Sequence, residues 1–399
     1  MPLLTVLRCC CFVILLVIRP NLLAQETGER SDQKFSGLDA LDRFSATEKY
    51  LGNASSDEKA VRNRLAAHCS GAPAPKCIKY LKANRSEILA VLPNNPEYWL
   101  AYHALINGPA LELDPSGEAY TRSPEKRTGL IDAAQDWVYR AIVEDDIQKV
   151  TDQIVPYYQN VRRQMSESSS LIDHTIFLAL VGIVHSQIEK LMALHAGDGN
   201  LESIKKLTAM LTPFSEQERS FRRALQGEAQ LTQTLPENKK LEAEWIAYLD
   251  RHQVPGRTPD EQNKAALEIS IVQWGKIIES IGEATERSWS EFYEKGYSSL
   301  EHRLPEGKTA FATDINGVRS FANGIRMAEA SIYPLLALSD IYLGATSPGV
   351  PAREPPPYWS WIWHEESKEI CLAPTQVAPD TTSLGRDQAI CRIYLPAVP

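Results

Sequence analysis

The chain has 399 residues, of which 43% are hydrophobic and 23% are charged. These fractions are typical of a globular protein and exclude a low-complexity or wholly disordered chain. The net charge of −9 argues against nucleic acid and anionic membrane surfaces as partners, because both bind proteins through basic patches. A chain of this length can hold two domains or one extended helical array.

Residues 1–24 have the pattern of a signal peptide. Arg8 supplies positive charge, and residues 9–18 (CCCFVILLVI) form an apolar run of the usual length. A transmembrane helix needs roughly 20 apolar residues, whereas Arg19 ends this run early. We expect cleavage after Ala24, which would change the net charge from −9 to −11 and release a periplasmic or secreted protein without a transmembrane segment. The alternatives are an uncleaved N-terminal anchor and a cytoplasmic protein.

Four cysteines remain after such a cleavage, and they form two close pairs in the sequence. Cys69 lies near Cys77, and Cys371 lies near Cys391. An even number of cysteines at short spacing in an exported protein predicts disulfides. Four cysteines allow three connectivities, of which we predict the local one, and free buried thiols are the alternative. Neither pair has the CxxC spacing of a zinc site.

The rest of the chain divides into three predicted parts. Residues 25–54 are polar with isolated apolar residues, which indicates a flexible spacer with no more than one weak helical turn. Residues 55–345 carry successive helical patterns with short turns, which predict an all-α domain of antiparallel helical hairpins. Residues 346–399 are rich in proline and form a tail with two alternating segments. We expect a small β-hairpin there, in which 359–363 or 370–372 pairs with 390–395 and a Cys371–Cys391 disulfide closes the hairpin.

Capping residues mark several helix starts within the helical domain. The predicted starts, in chain order, are Ser55 or Ser56, Asn95 with Pro96 and Glu97, Asp145 or Asp146, Ser215 with Glu218, and Thr258 with Pro259 and Glu261. The start at Ser215 is expected to open a helix that continues through Phe221, Leu225 and Leu231. The last helix is predicted over 315–344.

The segment 171–195, LIDHTIFLALVGIVHSQIEKLMALH, is the predicted centre of the domain. It carries no formal charge between Asp173 and Glu189, and its apolar residues fall on almost every side of a helical wheel. A helix that is apolar all round is buried in a protein or a membrane. This one is too short and too interrupted by His, Ser and Gln to span a bilayer. We therefore predict a buried central helix with the amphipathic helices packed around it.

The same helix carries the residues that could form a ligand or metal site. At about 100° per residue, His174 and His185 lie about 20° apart around the axis and about 16 Å apart along it. Glu189 lies about 40° beyond His185. Histidine and carboxylate are metal-ligand types, although the two histidines are too far apart to share one ion. The alternative is that both histidines are hydrogen-bonded core residues.

Signatures of established catalytic sites are not found in the sequence. It contains no GxSxG or HExxH motif and no glycine-rich phosphate loop. Several acidic residues could be paired for acid/base chemistry, but on an acidic protein they are more typical of a solvated helix face. They are Glu242, Glu244, Glu279, Glu283, Glu286, Glu291 and Glu294. No catalytic residue and no cofactor is predicted.

Four large aromatic side chains lie within six residues of the tail, at Tyr358, Trp359, Trp361 and Trp363. Such a cluster can form a binding platform for a sugar, a peptide or a protein partner. The alternative is that the rings pack onto the helical domain and anchor the tail, because large rings are mostly core material.

Three features together resemble uncharacterised exported all-helical proteins of Gram-negative bacteria. They are the export signal, the Cys-x7-Cys pair ahead of NPEYWLAYHAL, and the later segment FRRALQGEAQL. The resemblance covers residues 60–345 and implies a compartment and an all-helical fold. It implies no activity and no functional residue.

The sequence thus predicts a periplasmic or secreted non-enzymatic interaction module that binds an envelope component or another protein. One alternative is a metal-dependent hydrolase centred on His185 and Glu189. A second alternative is a carrier that holds an apolar ligand beside the central helix.

Overall fold

The computed structural model describes residues 36–48, 56–69, 72–111, 125–227, 282–283, 285–288, 291, 324–347, 349–375 and 389–393. Helices contain 71% of the described residues. The remaining regular structure is one small sheet near the C-terminus. The predicted signal peptide, the helix start at Thr258 and most of the acidic run from Glu242 to Glu294 lie outside the described residues.

The helical elements are numbered in chain order. They are α1 (Ser36–Glu48), α2 (Ser56–Cys69), α3 (Ala74–Ala83), α4 (Arg85–Val91), α5 (Pro96–Asn107), α6 (Glu125–Glu144), α7 (Ile147–Glu167), α8 (Leu171–Gly197), α9 (Leu201–Ala209), α10 (Glu216–Arg219) and α11 (Ile332–Tyr342). Two further stretches, 222–227 and 324–330, are also helical. The strands are β1 (Trp359–His364), β2 (Glu369–Pro374) and β3 (Ile390–Ile393).

Helix α1 lies within the segment that was expected to be a spacer. Leu41 and Phe44 are buried, and the Phe44 ring lies 5.3 Å from that of Tyr98 and 5.6 Å from that of Tyr102. The expectation of a flexible spacer therefore does not hold for residues 36–48. Isolated apolar residues four or fewer positions apart were enough to dock this helix on the core.

Several helices begin at the capping residues that the sequence predicted. The Asn95 side chain accepts a hydrogen bond from the backbone N–H of Glu97, and Pro96 is the first residue of α5. Ser215 and Glu218 form the predicted capping box. The helix after it is shorter than expected, because α10 ends at Arg219 and Ser220 adopts an extended conformation. Ser220 Oγ then accepts a hydrogen bond from the N–H of Arg222 and begins the next helical stretch.

Helix α8 is the buried centre of the helical part. Side chains on all its sides are buried, including Phe177, Leu180, Val184 and Leu191, and it contacts α3, α6, α7, α9 and α11. The expectation that this helix is too short to span a bilayer is wrong, because among the described residues it is the one helix long and apolar enough to do so by length and composition. However, 67% of its most apolar window is buried inside the protein. That burial is typical of the core helix of a globular fold. The antiparallel pairing of the surrounding helices stays a prediction.

Two disulfides join the cysteines in the predicted local pairs. Cys69 at the end of α2 is bonded to Cys77 in α3, so this bridge closes the turn between the two helices. Cys371 in β2 is bonded to Cys391 in β3. Disulfides of this kind are typical of proteins in an oxidising, extracellular compartment.

The tail forms three antiparallel strands in the order β1-β2-β3, where a two-stranded hairpin was predicted. The predicted pairing of 370–372 with the last strand is confirmed, because β2 pairs with β3. The alternative pairing of 359–363 with the last strand is wrong, because β1 pairs with the other side of β2. Cys371 lies directly opposite Cys391 in the register. Because side chains alternate along a strand, Trp359, Trp361 and Trp363 share one face of the sheet. Strands β2 and β3 contact α11.

Candidate functional site

His185, at the middle of α8, is completely buried and hydrogen-bonded through both ring nitrogens. Its Nε2 lies 2.7 Å from Oη of Tyr158 in α7. Its Nδ1 lies 2.6 Å from Oγ of Ser331, the residue that precedes α11. The helical spacing on α8 directs His185 towards two neighbouring elements, and each of them supplies a hydroxyl group.

The protons in this chain of hydrogen bonds can be assigned from chemistry. The Ser331 hydroxyl donates its single proton to the carbonyl oxygen of Ala328, at 2.7 Å. It therefore accepts from His185 Nδ1–H, and Nε2 is left as the acceptor for the Tyr158 hydroxyl. Burial lowers the pKa of His185 well below its usual value, and the nearby charges of Arg392 and Arg162 lower it further. His185 is thus a neutral imidazole with no lone pair left for a metal ion.

Arg162 supports Tyr158 from the other side. Its guanidinium lies 5.5 Å from the centre of the Tyr158 ring. It forms a bidentate ion pair with Glu218, with N···O distances of 2.6 and 2.7 Å. It also donates to the carbonyl oxygens of Thr212 and Pro213. These bonds hold the loop after α9 and the capping box of α10 against α7.

Glu189, one turn beyond His185, faces the C-terminal sheet. Its Oε2 lies 3.3 Å from Nε of Arg392 in β3, and their side chains are 10% and 17% exposed. Arg392 also donates from Nη1 to the carbonyl oxygen of Cys391. Glu189 and Arg392 therefore form a largely buried ion pair that joins the central helix to the last strand.

His174 has different neighbours from His185. Its ring centre lies 4.4 Å from that of Phe221, and its Nε2 has no hydrogen-bond partner among the described residues. Burial lowers its pKa to about 4, although a hydrogen bond with the backbone of Met165 opposes this shift. His174 is therefore a neutral ring that packs among apolar groups.

The structure does not bring the three predicted ligands together. His174, His185 and Glu189 each have their own partners on different elements. Within the described part of the chain, no three His, Cys, Asp or Glu side chains are grouped closely enough to hold a metal ion. The polar side chains of α8 are thus arranged to connect helices to one another and to the sheet.

A second polar group on α8 was not predicted from the sequence. Lys190 is 1% exposed, and its Nζ donates to Oγ and the carbonyl oxygen of Ser186, at 2.8 and 3.1 Å. Nζ also lies 5.9 Å from the centre of the Tyr139 ring. Burial lowers the pKa of Lys190 to about 8, Glu189 opposes this shift and Arg392 adds to it. The sequence feature that could have indicated the burial of Lys190 is its position at the end of a segment that is apolar on all sides.

Asp136 in α6 is another buried charge that the sequence did not reveal. Its Oδ2 lies 3.1 Å from both terminal nitrogens of Arg62 in α2, and Arg62 also donates to the carbonyl oxygen of Val91. Burial raises the pKa of Asp136 to about 7, and Arg62 opposes this shift. The Arg62–Asp136 pair joins α2 to α6 and is a structural contact.

The four aromatic residues of the tail lie at the sheet but differ in their surroundings. Trp359 is buried against Ala330 and Leu372. The indole N–H of Trp361 donates to the carbonyl oxygen of Arg353, at 2.8 Å, and Arg353 forms a two-pronged ion pair with Asp340 of α11. Tyr358, Trp361 and Trp363 are half-buried. Trp359 therefore packs against the helical part, and a binding platform at the four rings stays a prediction.

The outer edge of β1 remains as the candidate interaction surface. In the order β1-β2-β3, strand β1 has β2 on one side and no strand among the described residues on the other. Ile362 of this strand is 39% exposed, and nearby Val350 is 65% exposed. Gly349 packs so closely on the Trp363 indole that an added Cβ would lie 3.0 Å from a ring carbon. Ile362 and Val350 are thus two apolar side chains of the tail that reach solvent.

Comparisons with known protein families, with curated proteins and with solved structures find no match for this chain. The resemblance to exported proteins of Gram-negative bacteria therefore stays a prediction.

Proposed function

We propose that the protein is an exported, non-enzymatic interaction protein that binds a protein partner through β1 of its C-terminal sheet. The observation that carries this proposal is the outer edge of β1, which pairs with no other strand in the part of the chain that the structure describes and which carries Ile362 and the half-buried Trp361 and Trp363. Aromatic side chains are enriched in protein interfaces, and an open strand edge offers backbone hydrogen bonds to a partner.

The polar side chains of α8 support a structural role for this helix over a catalytic one. Both ring nitrogens of His185 are engaged by hydroxyl groups, and Glu189 is engaged by Arg392. A general base or a metal ligand needs a lone pair that a substrate or an ion can reach. The contacts of His185 and Glu189 therefore favour the interaction module over the metal-dependent hydrolase.

Export is part of the proposal. The pattern of residues 1–24 predicts a signal peptide, and the two disulfides are typical of an oxidising compartment. We propose a periplasmic or secreted location, with the helical domain acting as a rigid support for the sheet.

Site-specific cross-linking in intact cells that naturally produce the protein tests this function. A photoreactive phenylalanine analogue replaces Ile362 in one variant and Leu100 in another. Leu100 is 70% exposed but lies on α5, so it serves as the matched control. We expect a discrete cross-linked protein species from position 362 that is absent from position 100.

The opposite results would contradict the proposal. If position 362 gives no cross-linked species, or the same species as position 100, then β1 is not the binding surface. A stoichiometric metal in the purified protein that is lost on His185→Ala would instead support the hydrolase. Circular dichroism confirms that each variant is folded.

A further inference from the structure

We propose that the partner binds by adding an extended, cationic peptide segment as a fourth strand to the outer edge of β1. This inference rests on the proposed function and specifies the binding mode and the chemistry of the partner.

The direction of the backbone groups along β1 follows from the register. The N–H of Thr375 donates to the carbonyl oxygen of Tyr358, at 2.8 Å, so these two residues form a hydrogen-bonded pair just before the strand. Such pairs alternate with non-hydrogen-bonded pairs in an antiparallel ladder. Trp361, opposite Leu372, and Trp363, opposite Ile370, therefore point their N–H and C=O groups away from β2.

These outward groups are available to a new strand. No hydrogen bond links the backbone of Trp361 or Trp363 to any described residue outside the sheet. Proteins usually protect a strand edge with proline, lysine or a bulge, whereas β1 has the sequence WSWIWH. An incoming strand could form a ladder with Trp361 and Trp363 and cover Ile362, which is 39% exposed.

The charges around β1 indicate the chemistry of the incoming segment. Glu354 precedes the strand, and Glu365 and Glu366 follow it, all three being exposed. Glu365 is paired with Lys368, but Glu354 and Glu366 form no ion pair with the described residues. The whole chain also carries a net charge of −9. Charge complementarity therefore favours a segment in which apolar residues alternate with Lys or Arg.

A matched pair of substitutions separates strand addition from binding to the aromatic ring. Trp363→Val removes the ring and keeps the outward N–H, whereas Trp363→Pro removes both. Neither change deletes a hydrogen bond of the β1–β2 ladder, because the N–H of Trp363 points outward. Circular dichroism and mass mapping of the Cys371–Cys391 disulfide verify that both variants retain the tail structure.

The probe is a heptapeptide of alternating lysine and valine, blocked at both ends, titrated into the full oxidised protein and followed by calorimetry. We expect saturable binding of this peptide to the wild-type protein. Trp363→Pro should bind it about tenfold more weakly than Trp363→Val, because one backbone hydrogen bond is lost. The same peptide with glutamate in place of lysine should not bind.

Each other outcome overturns the strand-addition proposal. The absence of binding at millimolar peptide does so, because main-chain hydrogen bonds supply most of the affinity in this mode. Equal affinities for the two variants at position 363 also do so. Binding of the glutamate peptide overturns the cationic specificity. In each case the proposed function still stands if the analogue at position 362 captures its partner, so the two failures are distinguishable.

Discussion

Arg392 of β3 meets Glu189 of α8 with 3.3 Å between its Nε and the Oε2 of the carboxylate. The contact is an ion pair without an aligned hydrogen bond, because the Nε of Arg392 has no hydrogen-bond partner among the described residues. A charge on the central helix is thus neutralised by a residue more than 200 positions later in the chain. The small sheet is therefore coupled to the core by electrostatics as well as by packing.

Removal of Arg392 should destabilise the helical part as well as the sheet. Arg392→Met leaves the Glu189 carboxylate largely buried and unpaired, and we expect a loss of about 2 to 3 kcal/mol in the free energy of unfolding. The double variant Glu189→Gln with Arg392→Met should regain most of this loss, because no unpaired charge remains. Urea unfolding followed by circular dichroism measures both. Additive losses in the double variant would show that the two side chains do not interact.

Replacement by leucine should cost more stability at His185 than at His174, the other buried histidine of α8. His185→Leu leaves the Tyr158 hydroxyl buried without its acceptor, which should cost about 2 to 3 kcal/mol. Adding Tyr158→Phe should restore part of that stability. His174→Leu removes a ring nitrogen that has no hydrogen-bond partner but also removes the hydrogen bond with the backbone of Met165, so it should cost about 1 kcal/mol or less at pH 7. Thermal unfolding at pH 7 compares the three variants.

The folded-state pKa of His174, about 4, predicts an acid-dependent loss of stability. The unfolded chain binds a proton at the ordinary histidine pKa near 6.5, so stability falls as the pH drops from about 6.5 towards 4. At pH 5 this contribution amounts to about 2 kcal/mol. Wild type should therefore lose about that much more than His174→Leu between pH 7 and pH 5 in urea titrations. Parallel losses in the two proteins would contradict the shifted pKa.

The lowered pKa of Lys190 predicts that the stability of the fold depends on pH under alkaline conditions. Its folded-state pKa of about 8 lies below the ordinary lysine value near 10.4, so the unfolded chain binds more protons between these values. Stability from this group therefore rises as the pH increases from about 8 to 10.4. Lys190→Met should stabilise the protein at pH 7 by up to about 3 kcal/mol and remove this rise. Melting temperatures of both proteins from pH 7 to pH 10 test it.

Leu178 tests the burial of the central helix directly. It is 6% exposed and lies 3.4 Å from the position of a Cβ added to Gly324. Leu178→Asp places an unpaired carboxylate in the core, which costs several kcal/mol and should unfold the domain. Leu178→Met is the matched control and should cost less than about 1.5 kcal/mol. An unchanged melting temperature for the aspartate variant would refute the burial of α8.

The Cys371–Cys391 disulfide should stabilise the tail through the loop that it closes. With a sequence separation of 20, loss of the bridge should cost about 3 kcal/mol in the loop-entropy model. The variant with both cysteines replaced by alanine should lose that amount against wild type in urea unfolding. Non-reducing mass mapping of wild type should also find Cys69 linked to Cys77, and a cross-pair between the two halves would overturn the connectivity.

Local signals in the sequence predicted the parts of the fold that depend on local physics. The cap at Asn95 and the box at Ser215 depend on side chains within three residues of the backbone groups they bind. The burial of α8 follows from apolar side chains on all its sides. The two disulfides follow from short spacing in the chain.

Contacts between distant segments could not be predicted in the same way. Nothing near His185 in the sequence indicates Tyr158 or Ser331 as its partners, and nothing near Glu189 indicates Arg392. The prediction had two strands where the structure has three. It treated the segments that became β1 and β2 as alternative partners of the last strand, whereas β2 has a partner on each side. Helix α1 was missed because its apolar residues are few, and their burial depends on Tyr98 and Tyr102 of a later helix.

Because Cys391 directly precedes Arg392, the Cys371–Cys391 disulfide helps to hold the Arg392 charge beside Glu189. In a reducing environment the disulfide is absent, and Arg392 is held near Glu189 by the backbone pairing of the four-residue strand β3 with β2 alone. A strand this short is only marginally stable by itself. A chain with free thiols would thus carry a poorly compensated carboxylate on α8, which would make it easier to unfold. Formation of the Cys371–Cys391 disulfide would hold Arg392 beside Glu189 and make the folded chain more stable.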